Sequence, residues 1–232
     1  MPVYQLDEGL WFPNPKYGEP DGLFAVGGDL SVNRLLLAYS HGIFPLYAYQ
    51  LYDEPHWYCP MDRFVIFPKE IHISHSMKQL MRQGKYHITM NQDFEGVIKG
   101  CSKADCRNTD MGAWLGPQMI RAYTQLHKMG IAHSVEVWET KETGNNTSIP
   151  LRLVGGLYGI DLNGAFFGES MFSLVPSASK LALIHLAQHL EKKGYSFIDC
   201  QFETPHLLSM GGRHITYEEY MSILNANAHK KE

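Results

Sequence analysis

Two apolar stretches joined by Asn163–Gly164 constrain this chain more than any other feature. LRLVGGLYGIDL runs up to that dipeptide and AFFGESMF runs away from it. Asn-Gly accepts positive φ at both central positions of a two-residue loop, and the type I′ turn it forms has the twist that antiparallel strands need. The pair therefore predicts a long β-hairpin. After it, SASKLALIHLAQHLEKKG repeats apolar residues at helical spacing until Gly194, and YSFIDCQF reads as a strand. Ahead of it, RFVIF predicts a strand closed by Pro68, SHSMKQLMRQ a helix and KYHITMN a strand. GPQMIRAYTQLHKMG predicts an amphipathic helix between Pro117 and Gly130, and AHSVEVWE a further strand. The polar TKETGNNTSIP is a loop, and TYEEYMSILNANAHKK predicts a terminal helix. This order is that of an α+β fold, a mixed sheet with flanking helices. No G-x-G-x-x-G or Walker sequence follows a strand, so no nucleotide cofactor is expected.

The first part of the chain has a different texture. FPNPKYGEPDGLFAVGGDLS, HGIFPLYAYQ and HWYCP are rich in Gly, Pro and aromatic residues. One helix is predicted there, capped by Ser31 and stopped at Gly42. A small N-terminal domain, residues 1–62, followed by a larger domain, residues 63–232, is the organisation this predicts.

A chain of 232 residues with 44% hydrophobic content can bury a sizeable core. Its net charge of −4 argues against a general nucleic-acid binder, so any RNA contact must be a local patch. Lys78, Arg82 and Lys85, near one end of a predicted helix, are the candidates, with a solvated helix face as the alternative. The N-terminus carries no basic stretch followed by an apolar run, and Leu181–Leu186 is too short to cross a bilayer, so a cytoplasmic protein is expected. Cys59, Cys101, Cys106 and Cys200 lack zinc-site spacing and read as reduced thiols, and no metal is expected.

Charges set into apolar strands mark the candidate chemistry. Asp199, between Phe197–Ile198 and Phe202, is costly to bury without a partner or a task. It is either a structural carboxylate or a catalytic one, and strand alternation would place Gln201 on the same face. Glu169 in FFGESMF stands in similar surroundings, as a strand-end ion-pair residue or as half of an acidic pocket for a cationic group. Leu183, Leu186 and Leu190 share a helix face and are either core or pocket lining. Trp57, Tyr58, Trp114, Tyr39 and Tyr123 lie near turns, where rings either pack or offer stacking surfaces to bases.

GLFAVGGDLS with AYSHGIFP, then HSMK, AHSVEVW, GGLYGI, FFGESMFS, ASK and IDCQ, occur in an order that resembles the leucyl/phenylalanyl-tRNA–protein transferases, from about Pro13 to His206. The resemblance implies a larger domain of GNAT-like (acyl-CoA N-acyltransferase-like) fold and no cofactor, because the aminoacyl ester of tRNA is already activated. It implies transfer of Leu, Phe or Met from aminoacyl-tRNA to the N-terminal amine of proteins starting with Arg or Lys, which marks them for degradation. By position, Asp199 and Gln201 fall on the family's catalytic pair and Glu169 on its acidic residue for the acceptor. Leu157, Met171, Leu183, Leu186, Leu190 and Ile198 fall on the aminoacyl pocket, and Trp114, Tyr39 and Tyr123 on the 3′ adenosine site. The chain departs from many relatives at Leu46, where they have Trp, so that one stacking surface is either missing or supplied by Tyr47, and from some at Thr204, where they have Asn. Two rival readings are an acetyl-CoA-dependent acetyltransferase, which SLVPSASK disfavours by lacking a glycine-rich loop, and a non-catalytic RNA-binding module.

Overall fold

A computed structural model describes residues 3–47, 53–105, 115–140 and 151–228. Cys106, Trp114 and, apart from Thr140, the TKETGNNTSIP segment expected as a loop lie outside that set.

The first strands are short. β1 (Tyr4–Leu6), β2 (Leu23–Gly27), β3 (Phe44–Leu46) and β4 (His56–Tyr58) form a four-stranded sheet in the order β1-β2-β4-β3. Between β2 and β3 lies α1 (Val32–Ser40), whose first turn is closed by Ser31 Oγ accepting from the Arg34 amide. The Arg34 side chain is buried and donates to the carbonyls of Asp7 and Gly9, tying the N-terminal segment to the helix.

The remaining strands build a seven-stranded sheet. They are β5 (Asp62–Ile66), β6 (Tyr86–Met90), β7 (Ala132–Thr140), β8 (Leu151–Leu162), β9 (Ala165–Ser173), β10 (Ile198–Gln201) and β11 (Arg213–Thr216), in the order β11-β5-β10-β9-β8-β7-β6. All neighbours are antiparallel except β9 and β10, which run parallel. The helices are α2 (His75–Arg82), α3 (Phe94–Asp105), α4 (Pro117–Lys128), α5 (Ala178–Lys192), α6 (Pro205–Ser209) and α7 (Tyr217–Ala228). The fold is α+β, a small N-terminal sheet followed by a larger mixed sheet with helices. Asn163 and Gly164 both take positive φ, as the β8–β9 turn requires.

Strand alternation sends the two faces of the large sheet into two cores. Leu157, Phe166, Ile198 and Val137 meet the apolar face of α5, while Tyr158, Phe167, Val65 and Phe172 meet α3, α4 and the small sheet. The second core runs without interruption into the N-terminal region through Phe24, Leu35, Tyr39 and Trp57. Helix α3 was not expected from the sequence, because Gly96 and Gly100 dilute its pattern. A Cβ at Gly100 would come within 2.7 Å of the Phe172 ring, so the helix gives up a side chain to let that aromatic pack. The two segments α6 and β11 were missed as well, since each is too short to carry a period.

Candidate active site

β9 and β10 pair at only two positions, Ile198 with Phe166 and Asp199 with Phe167. Beyond them β9 continues along β8, while β10 stays on β5 and shifts its register there through a bulge between Asp199 and Gln201. Where a parallel pair diverges, its carboxyl ends leave a crevice. Here that crevice is a cavity of about 530 Å³. Leu157, Met171, Leu183, Leu186 and Ile198 form its apolar wall, and Glu169 and Gln201 stand at its polar end. Leu190, expected in the same wall, lines a separate cavity of about 160 Å³ beside Phe166 and Tyr195.

The bulge alters the strand pattern. Asp199 and Gln201 were expected on one face, but the inserted residue breaks the alternation, and Gln201 takes φ 64. Gln201 lines the cavity with Ile198 and Cys200, whereas Asp199 turns away from it. The expectation of a shared face is therefore corrected: alternation assumes an unbroken ladder, and one extra residue reverses it.

Asp199 is fully buried and saturated. Its Oδ1 accepts from Arg63 Nε and from the Gln201 backbone amide, both at 2.9 Å. Its Oδ2 accepts from Arg63 Nη2 at 2.7 Å and from the Tyr220 hydroxyl at 2.9 Å. Burial works against the Arg63 charge, and the Asp199 carboxylate outweighs it, raising the guanidinium's pKa.

Glu169 is buried on the cavity side. Tyr123 donates its hydroxyl to Oε2 at 2.7 Å, and Gln201 Nε2 donates to Oε1 at 3.3 Å. Tyr39 lies 2.7 Å from the Tyr123 oxygen and donates to it, since the single Tyr123 proton is committed to the carboxylate. Burial pushes Glu169 up to about 7; the two tyrosines oppose this, and the nearby Asp199 charge adds to it. Cys200, also in the cavity wall, is held as a thiol by burial and by the same Asp199 charge, so it is no nucleophile at neutral pH.

The aromatics expected at an adenosine site lie elsewhere in the packing. Tyr39 and Tyr123 are fully buried, edge-on against Phe167 and Tyr158, and no ring face is left for a base. Tyr47 is buried too, with its hydroxyl on the Asp53 carbonyl, and cannot replace a missing stacking surface. Trp114 lies outside the described residues. Lys78 in the middle of α2, Arg82 at its last residue and Lys85 just before β6 are all exposed, and Lys85 pairs with Glu139 at 3.2 Å. Among the described residues, no three His, Cys, Asp or Glu side chains group as metal ligands, and no helix is long and apolar enough to cross a membrane. Arg63 and Tyr220 were missed at the sequence level. Arg63, a cation opening the apolar strand RFVIF, was a legible partner for a buried aspartate, whereas Tyr220 carried no signal.

The family model described as leucyl/phenylalanyl-tRNA protein transferase matches residues 65–225, and the one for its N-terminal domain matches residues 28–61. The chain belongs to the leucyl/phenylalanyl-tRNA protein transferase family. Among proteins bearing that name, the one from Thermodesulfovibrio yellowstonii is 43% identical over 231 residues, covering 100% of this chain and 89% of its own. Those from Syntrophobacter fumaroxidans and Desulforapulum autotrophicum are each 44% identical, over 227 residues (98% of this chain, 92% of theirs) and 232 residues (100% and 95%). The GESMF and IDCQ segments, by which this chain resembles the transferase family, are the two whose divergence opens the cavity.

Proposed function

We propose that this protein transfers Leu, Phe or Met from aminoacyl-tRNA to the N-terminal α-amine of proteins that begin with Arg or Lys, marking them for degradation in the cytoplasm. In this reading residues 1–62 are a small N-terminal domain and residues 63–232 a GNAT-like catalytic domain. The observation that carries it is the apolar cavity ending at a Gln201–Glu169 pair, in a chain of this family. An unbranched, branched or aromatic apolar side chain fits such a wall, which discriminates among them by only ~1–3 kcal/mol per methylene.

The reaction is aminolysis of an ester. The amine nitrogen bonds to the ester carbonyl carbon, the bond from that carbon to the ribose oxygen breaks, and the proton lost by the amine ends on the ribose hydroxyl. No cofactor is required, because the ester is already activated. Gln201 has two N–H groups and one carbonyl oxygen; with one N–H on Glu169, the second serves the developing oxyanion and the oxygen accepts from the amine. Asp199, with all its lone pairs taken, orients Gln201 rather than removing a proton. Glu169 receives the cationic acceptor by a charge-assisted hydrogen bond and ionises as that cation arrives. Tyr39 and Tyr123 hold Glu169 instead of stacking on the tRNA's terminal adenosine, which leaves Trp114 of the three rings expected there. Lys78, Arg82 and Lys85 take the phosphates of the tRNA stem.

Mixing the protein with labelled Phe-tRNA and a peptide starting with Arg tests the proposal, with a Glu-start peptide as control. Label moves to the Arg peptide and not to the control. Release of free Phe alone, or equal labelling of both peptides, refutes it.

A further inference from the structure

Gln201 is held in a conformation that glutamine disfavours. Its φ is 64, and among the described non-glycine residues only Asn91, Asn163 and Ser177 also take a positive φ. Asparagine tolerates the left-handed region through its short polar side chain, and glutamine has no such advantage. Something must compensate, and it is the hydrogen bond from the Gln201 amide to Asp199 Oδ1.

That acceptor is itself fixed from two directions. Arg63 grips both Asp199 oxygens, and its guanidinium lies between the rings of Phe44 and Tyr220, at 4.7 and 5.0 Å from their centroids. Arg63 Nη1 is buried with no hydrogen-bond partner among the described residues, so the two ring faces are what it has. Tyr220, on α7, completes the Oδ2 contacts, and its own ring is backed by the turn after α1, where a Cβ on Gly42 would come within 2.6 Å of it. A buried ion pair contributes little net stability over a well-packed apolar substitute. This one is aimed at the single backbone amide that sets the geometry of the cavity's amide side chain.

We propose that Arg63 and Tyr220 are positioning residues for the transfer reaction: they clamp Asp199 so that its Oδ1 holds Gln201 left-handed, with the Gln201 amide on Glu169 in the cavity. This rests on the reading of Gln201 as the group facing the ester. The clamp gathers residues 42–44, 63 and 220, so β5 of the large sheet, the small sheet and the terminal helix all act on one side chain.

Tyr220→Phe removes one hydroxyl and keeps the ring on Arg63 and Gly42, so it folds; Arg63→Lys loses the bidentate grip and serves as the second variant. In transfer from Phe-tRNA to an Arg-start peptide, Tyr220→Phe lowers kcat about tenfold, the loss of one hydrogen bond to a charged group. KM for Phe-tRNA stays unchanged, and the fall is the same at every pH where the fold holds, because no titrating catalyst is removed. On a Gln201→Ala background the same change has no further effect on kcat, since the clamp acts only through that side chain. Unchanged kcat in Tyr220→Phe, or a fall that simply adds to that of Gln201→Ala, overturns the clamp alone. Undiminished turnover in Gln201→Ala overturns both the clamp and the reading of the site beneath it.

Discussion

Glu169 and Asp199 are two buried carboxylates near one guanidinium, and their surroundings send them to different tasks. Asp199 holds the Arg63 guanidinium through two short bonds. Glu169 has two tyrosines and an amide as its direct partners and feels Arg63 only at a distance, so its burial is only partly offset and its pKa is pushed up to about 7. The folded state holds the Glu169 proton more tightly than the unfolded chain, so this group lowers stability as pH rises from its ordinary value of 4.5 to about 7. Glu169→Gln removes that penalty, and the Tyr123 hydroxyl can reverse to accept from the new amide. Relative to wild type, the variant should therefore gain stability progressively across that interval, reaching about 3 kcal/mol above it. Denaturant melts at several pH values measure the difference; a constant offset at every pH would contradict the assignment. At this scale the sequence marked Asp199, Glu169 and Gln201 through charge and amide set into apolar strands. It could not show which oxygen meets which donor, because those partners come from other elements.

The hairpin was legible at the scale of elements because its signal is local. Asn163 and Gly164 sit at φ 51 and 67, where Gly164→Ala should cost about 1 kcal/mol in chemical denaturation, with strand content preserved. Within β8 the glycines have another cause. A Cβ on Gly159 would lie 2.1 Å from the Phe167 carbonyl oxygen and 2.4 Å from the Phe166 ring. Both β9 residues are buried against it and neither can yield cheaply, so Gly159→Ala should destabilise by about 3 kcal/mol. A loss as small as that of Gly164→Ala would show that β9 relaxes. Period two is a property of an intact ladder, and nothing within IDCQ says that β10 shifts its register on β5 after Asp199.

Across the whole molecule, the cavity exists because α5 covers one face of the sheet while β9 and β10 separate beneath it. Charge is also a whole-molecule matter. A protein of net charge −4 binds RNA only where cations are locally concentrated. Lys78 and Arg82 lie one helical turn apart and exposed on α2, while Lys85 shares its charge with Glu139. If these residues meet tRNA phosphates, affinity falls linearly on a log–log plot against salt, and Lys78→Glu or Arg82→Glu flattens the slope by about one each. Lys85→Glu should flatten it less. Filter binding at a series of salt concentrations reads these slopes, and equal slopes for wild type and all three variants would remove the patch.

Periodicity, turn chemistry and misplaced charges, all readable over a few residues, determined the α+β class, the hairpin, the helix that covers the cavity and two of its polar side chains, Glu169 and Gln201. The tertiary structure alone decided that Leu190 falls outside the cavity wall, that Tyr39 and Tyr123 are buried, and that Asp199 turns from the cavity to Arg63, 136 residues away. Such a pairing depends on sheet order, which sets β5 beside β10, and no local pattern encodes which strands become neighbours.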